Sequence, residues 1–111
     1  HKYTYTVEFD SEELIRKAIA EINEHLGKSS KEFYSDYYIG ITDNINERLF
    51  GFHQVPQRGH WYIYMPADTD EIARKVEKYF LDLGMQGGDG GGNDNSTTVY
   101  CYEVTKYTRE T

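Results

Sequence analysis

Residues 37–52, YYIGITDNINERLFGF, change character halfway along. Tyr37, Tyr38, Ile39, Gly40 and Ile41 are aromatic or β-branched apart from one glycine, which reads as a largely buried strand. Asn44 followed by Glu47 has the spacing of a helix capping box, and Ile45, Leu49 and Phe52 give the following turns one apolar side. A strand thus feeds a short amphipathic helix.

Upstream, residues 2–9, KYTYTVEF, alternate strictly, with Tyr3, Tyr5, Val7 and Phe9 on one face. This predicts a half-buried strand. Asp10 with Glu13 opens a helix that runs to about Leu26, carrying Leu14, Ile15, Ala18, Ile19, Ile22 and Leu26 on one side and stopped by Gly27. Residues 28–35 are a polar connection. Downstream, residues 53–60 with Pro56 and Gly59 read as a turn, and residues 61–65, WYIYM, as a third strand. Asp68 and Glu71 open a third helix whose stripe is Ile72, Val76, Tyr79, Phe80 and Leu83, ended by Gly84. Residues 98–105, TVYCYEVT, form the last predicted strand, and the polar tail KYTRET is expected to fray. The expected fold is therefore α+β: one domain over residues 1–111, with a small mixed or antiparallel four-stranded sheet and three helices in the order βαβαβαβ.

Composition narrows the function. The chain has 111 residues, room for one core, and a formal net charge of -7 from 12 Lys+Arg against 19 Asp+Glu. Long nucleic acids bind mainly by phosphate neutralisation, so this balance argues against them, while leaving a small phosphorylated ligand open. Eleven tyrosines against five phenylalanines and one tryptophan suit either a sheet with one wet face or a surface covered by a second copy, as a homodimer or higher oligomer. Cys101 is the only cysteine and can make no internal disulfide. No apolar run is long enough to cross a bilayer and no signal peptide is recognised, so the expected setting is cytoplasmic and away from membranes.

Three constellations could carry chemistry. After Gly84 comes MQGGDGGGNDNS, with Gly87, Gly88, Gly90, Gly91 and Gly92. Successive glycine amides can point at one anion as a nest, and Asn93, Asp94, Asn95 and Ser96 can meet sugar or base edges; the other reading is a plain surface connection. It lacks the lysine and serine or threonine of a phosphate-binding P-loop. Gln57, Arg58, Gly59, His60 and Trp61 set an arginine beside a flexible glycine and an indole, able to clamp a phosphate and stack on a base, or simply to form a charged turn. Arg109 is a lone cation in the tail. The histidines lack the spacing of a metal site, so no metal and no cofactor is expected.

Tyr38-Ile39-Gly40, Arg48 ten residues on, Glu77 on the third helix and Asn93 after it resemble the YIG strand and later motifs of the GIY-YIG nucleases, over roughly residues 37–104. This implies a related fold layout and, as one alternative, metal-dependent nuclease chemistry through Tyr38, Arg48 and Glu77. The partner GIY strand is missing just upstream, where SKEFYSD stands.

YYIGITDN, VEKYFLDLGMQGGDGGGNDNS and the closing TVYCYEV also resemble the phage anti-Thoeris signal sponges, the Thoeris anti-defence protein one family. The resemblance implies a non-enzymatic protein acting in the bacterial host cytoplasm. It would sequester the cyclic ADP-ribose signal of TIR enzymes, and at a separate site the cyclic oligonucleotides of CBASS defence, and would assemble from dimers. On that reading Phe80, Gly90, Gly91, Asn93, Asp94 and Arg109 would contact the first ligand, and Gln57, Arg58 and Gly59 the second. A protein-interaction module without a small ligand is the remaining alternative.

Overall fold

The structure is a computed structural model and describes residues 11–88 and 95–111. Within them lie helix α1 (Ser11–Leu26), a 3-10 turn (Tyr34–Asp36), strand β1 (Tyr37–Thr42), a π-helix (Asn46–Phe52), strand β2 (Tyr62–Pro66), helix α2 (Asp70–Asp82) and strand β3 (Thr98–Glu103). The α+β class stands, with a three-stranded antiparallel sheet among the described residues. The strand expected at residues 2–9 lies outside them, as does the Asp10 cap.

The sheet order is β1-β3-β2, so the last strand is the central one. β3 pairs antiparallel with both neighbours: Ile39 and Ile63 each sit opposite Cys101, and Gly40 and Tyr64 opposite Tyr100. A central strand must bury both faces, and Val99, Tyr100, Cys101 and Tyr102 are all buried. The alternation then sorts the core in two. Tyr37, Ile39, Ile41, Met65, Val99 and Cys101 face the helices, meeting Ile22 of α1 and Ile72, Ala73, Val76 and Phe80 of α2. Tyr100 and Tyr102 face the other way, under Leu49 and Val55, with Tyr38, Phe50 and Tyr62 at the margin.

Local chemistry sets the helix ends. α2 starts at Asp70 because Thr69 is extended and its hydroxyl accepts the Ile72 N–H at 3.1 Å. Thr69, not Asp68, is thus the cap. Gly84 follows the helix at φ +114°, a conformation that costs glycine nothing. The Asn44 cap is as expected, with the Glu47 N–H donating to Asn44 Oδ1 at 3.2 Å. The helix after it winds differently: the His53 N–H reaches back five residues to the Arg48 carbonyl at 3.0 Å, the wider π turn. Arg48 and His53 thereby approach the same tyrosine, Tyr100.

The tail does not fray. Val104 N–H donates to the Asp36 carbonyl at 2.8 Å, Thr105 and Thr108 close a turn, and Arg109 N–H donates to the His53 carbonyl at 2.7 Å. Sequence polarity misleads here because the tail is held by hydrogen bonds rather than by apolar burial.

Candidate functional site

The glycine-rich loop is described only at its ends. Gly90, Gly91, Asn93 and Asp94 lie outside the described residues. At the near end, Gln86 bridges the free edge of β1: the Ile39 N–H donates to the Gln86 carbonyl and the Gln86 N–H to the Tyr37 carbonyl, both at 2.9 Å. A β carbon on Gly87 would stand 2.7 Å from the Ile39 carbonyl oxygen and 2.6 Å from Leu81 Cδ2. One of the loop's glycines is therefore demanded by close packing against β1. Phe80 lies wholly inside the core, tilted against Tyr34 and edge-on to Tyr79.

The second constellation is brought together. Arg58, Gly59, His60 and Trp61 line a groove of about 370 Å³ with Pro56, Glu103, Thr105 and Tyr107. Gly59 has φ +71°, which lets the turn fold back. His60 Nε2 donates to the Glu103 carbonyl at 2.7 Å, fixing the turn against the end of β3. Trp61 is braced edge-on by Tyr37 with ring centroids 5.2 Å apart. Gln57 stands outside the lining, and its carbonyl accepts the Tyr62 hydroxyl at 3.4 Å. Thr105 and Tyr107 were missed in the sequence because only the tail's return brings them there.

The third constellation also converges. Tyr38 stacks on Tyr102 at 5.3 Å and Tyr100 at 6.2 Å, and packs on the His53 ring at 4.6 Å. Arg48 donates a side-chain hydrogen bond to the Tyr100 hydroxyl, and its guanidinium lies 4.6 Å from the Phe52 ring centre. Glu77 is buried, not a solvated helix residue, and its charge raises the pKa of both Tyr38 and Tyr100. The sequence missed His53, the hub of this face. Its Nδ1 lies 2.7 Å from the Arg109 carbonyl, which can only accept, so Nδ1 carries the proton and Nε2 accepts the Tyr100 O–H at 2.8 Å. Tyr102 lies 2.9 Å from the same Nδ1 and donates its own O–H to Glu110 at 2.9 Å.

Burial dominates the titration of this cluster. It pushes Tyr38, Tyr100 and Tyr102 above the ordinary phenol value and His53 below the ordinary imidazole value. For His53 the bond to the Arg109 carbonyl works in the opposite direction, then Arg48 lowers and Glu110 raises. The tyrosines are neutral hydrogen-bonding groups at neutral pH, suited to holding a structure rather than to taking a proton.

Beside this face, Thr42, Asp43, Asn44, Glu47, Arg48, Phe52 and Ser96 enclose a polar cleft of about 210 Å³. Arg109 lies against Phe52 as well, 5.2 Å from the ring centre. Among the described residues, three of the five arginines, Arg48, Arg58 and Arg109, have no side-chain carboxylate within ion-pair distance, in a chain of net charge -7. No protein-family model, no curated protein and no solved structure matches this chain.

Proposed function

We propose that this chain is a phage protein that captures a small cyclic nucleotide signal in the bacterial cytoplasm and holds it without cleaving it. The observation that carries this reading is the groove of Arg58, Gly59, Trp61 and Tyr107. Its volume of about 370 Å³ falls within the usual span of small-molecule sites. Arg58, with no ion pair among the described residues, offers a planar fork for phosphate, and the indole and phenol offer ring faces for a base. Cyclic di- or trinucleotides fit that chemistry, and a cyclic ADP-ribose isomer would take the glycine-rich loop as its separate site. A second chain closing the groove would supply the enclosure that tight capture needs. Residues 2–9 would add a fourth strand to the sheet.

Capture without turnover sets a clear test. The protein is mixed with a cyclic trinucleotide or with cyclic ADP-ribose, freed of unbound ligand, and heated. Intact ligand should come back in stoichiometric amount. Nanomolar capture corresponds to about -12 kcal/mol, and ligand at a hundred times Kd adds about 2.7 kcal/mol to stability. Arg58→Ala should abolish the trinucleotide's thermal shift while leaving the ligand-free melting temperature in place. Recovery of a linear product, or no binding by any cyclic nucleotide, would refute the proposal.

The convergence of Tyr38, Arg48 and Glu77 favours one second reading, a metal-dependent nuclease. It expects Mg²⁺-dependent nicking of plasmid that Glu77→Ala removes. Against it stand the neutral tyrosines, half-buried Tyr38 and buried Tyr100, whose raised pKa values leave them protonated at neutral pH.

A further inference from the structure

Glu103 ends β3 beside Trp61. The β2–β3 register sets Tyr62 opposite Tyr102, which brings Trp61 opposite Glu103, and the Glu103 N–H donates to the Trp61 carbonyl at 3.1 Å. Opposite residues of an antiparallel ladder share a face, so the carboxylate and the indole stand side by side. Tyr37, opposite Glu103 on the β1 flank, is the residue that braces the indole edge-on at 5.2 Å. The main chain of Glu103 is committed, since its carbonyl also takes the His60 bond at 2.7 Å. Its carboxylate is not. One oxygen lies 3.8 Å from Lys31 Nζ, a long ion pair, and the side chain is 16% exposed. Among the described residues it accepts no hydrogen bond.

Arg58 lines the same groove of about 370 Å³, yet makes no ion pair with Glu103. The carboxylate can only accept hydrogen bonds and the guanidinium can only donate them. Two opposite charges that share a groove without meeting suit a ligand with a donor edge at one end and an acceptor at the other. Lys106, whose ammonium lies 5.3 Å from the Tyr107 ring centre, adds a cation beside the Tyr107 wall.

We propose that the groove reads guanine: Glu103 accepts the N1–H and the 2-amino N–H of the base, Trp61 supports the ring, and Arg58 takes an adjoining phosphate. This rests on the capture reading above and names the base that the captured nucleotide carries. A carboxylate presents two acceptor oxygens side by side, so the matching edge needs two neighbouring N–H donors. Guanine has that pair on its Watson–Crick edge. Adenine sets its 6-amino group beside a bare ring nitrogen, as cytosine does its 4-amino group, so one carboxylate oxygen would face a lone pair. Uracil has a single N–H between two carbonyls. Like charge keeps phosphate away from Glu103 and draws it to Arg58, which fixes the ligand's direction in the groove. A simple cation would suit Glu103 but meets Arg58 in the same lining.

Calorimetric titration of the wild-type protein with cyclic di-GMP, cyclic di-AMP and the inosine analogue cyclic di-IMP tests the reading. A bidentate pair discriminates between bases by about fivefold or more, so cyclic di-GMP should bind at least about fivefold more tightly than cyclic di-AMP. Cyclic di-IMP keeps the N1–H and lacks the 2-amino group, and should fall between them. Glu103→Gln puts an N–H donor where an acceptor stood and leaves the main-chain bonds at the end of β3 in place. It should fold as the wild type does and bring the affinities for cyclic di-GMP and cyclic di-AMP together. Equal affinity for those two ligands in the wild type overturns the guanine reading and leaves capture standing. So does cyclic di-IMP bound as tightly as cyclic di-GMP, or an unchanged preference in Glu103→Gln. The comparison of ligands needs no variant, so it decides the matter even where Glu103→Gln does not fold. Binding of none of the three removes capture at this groove, and the guanine reading with it.

Discussion

Replacing Gly40 by alanine should cost this protein far more than a glycine-to-alanine change in a strand ordinarily does. Gly40 sits opposite Tyr100 in the β1–β3 register. A β carbon there would stand 2.5 Å from the ring's Cζ and 2.9 Å from Cε2, with the hydroxyl nearer still. Carbon pairs rest at about 3.5–4.0 Å, so the ring must move. It has nowhere cheap to go. Its hydroxyl is held by His53 Nε2 at 2.8 Å and by Arg48, its face is stacked on Tyr38, and it is 2% exposed. Overpacking of this kind costs about 1–3 kcal/mol, and a buried imidazole nitrogen left unpaired about 1–3 kcal/mol more. Against this, alanine's smaller entropy loss returns about 0.5–1 kcal/mol. The net is about 1–5 kcal/mol, a fall in Tm of roughly 4–8 °C for each kcal/mol in a domain near this size. Thermal and urea unfolding followed by circular dichroism would measure it, with the midpoint lowered and the urea slope kept. In a Tyr100→Ala background the same substitution should be neutral or stabilising. An unchanged or raised Tm for Gly40→Ala, or a cost that persists without the Tyr100 ring, refutes the packing argument.

Thr69→Ala removes the hydroxyl that caps α2 and should cost about 1 kcal/mol, whereas Asp68→Ala should cost little; urea midpoints distinguish them. Burial raises the Cys101 thiol well above its ordinary value, so it should resist alkylation at pH 8 in the folded protein and react fully in guanidinium, as a mass shift would report. His53 titrates lower folded than unfolded, so the unfolded chain binds the extra proton. Its stabilising contribution is complete above the unfolded value of about 6.5 and is lost as pH falls through the lower folded value. Melting curves across that window should flatten in His53→Gln. Tyr102→Phe, which frees Glu110 from its donor, should cost about 1–2 kcal/mol and expose residues 108–111 to carboxypeptidase.

Those elements whose causes lie within a few residues were legible in the sequence. The aromatic and β-branched run at 37–41 and the run at 98–105 marked two strands, the apolar stripe marked α2, and Asn44 with Glu47 marked a cap that the structure keeps. The clustering of Arg58, Gly59 and Trp61 was legible for the same reason. What escaped was non-local. His53 meets Arg109, Tyr102 and Tyr100 across 56, 49 and 47 residues, and no spacing rule reaches that far. The π turn escaped because its cause is the tyrosine face that Arg48 and His53 must both reach. The tail looked mobile because it is polar, yet polar groups are what hold it. Gly40 and Gly87 read as strand and loop glycines, while their reason is what lies opposite: a tyrosine ring in one case, the main chain of β1 in the other.

The placing of β3 between β1 and β2 has a consequence for how the chain is made. Synthesis proceeds from the amino end, and both flanking strands leave the ribosome before β3, the strand that pairs with each of them, has been made. Ile39, Ile41, Ile63 and Met65 must wait in the company of two helices and without β3. When Thr98–Glu103 arrives it closes both ladders in one event, and the tail that follows meets His53 only afterwards. Nascent chains halted before residue 98 should therefore be the ones that chaperones hold and proteases find.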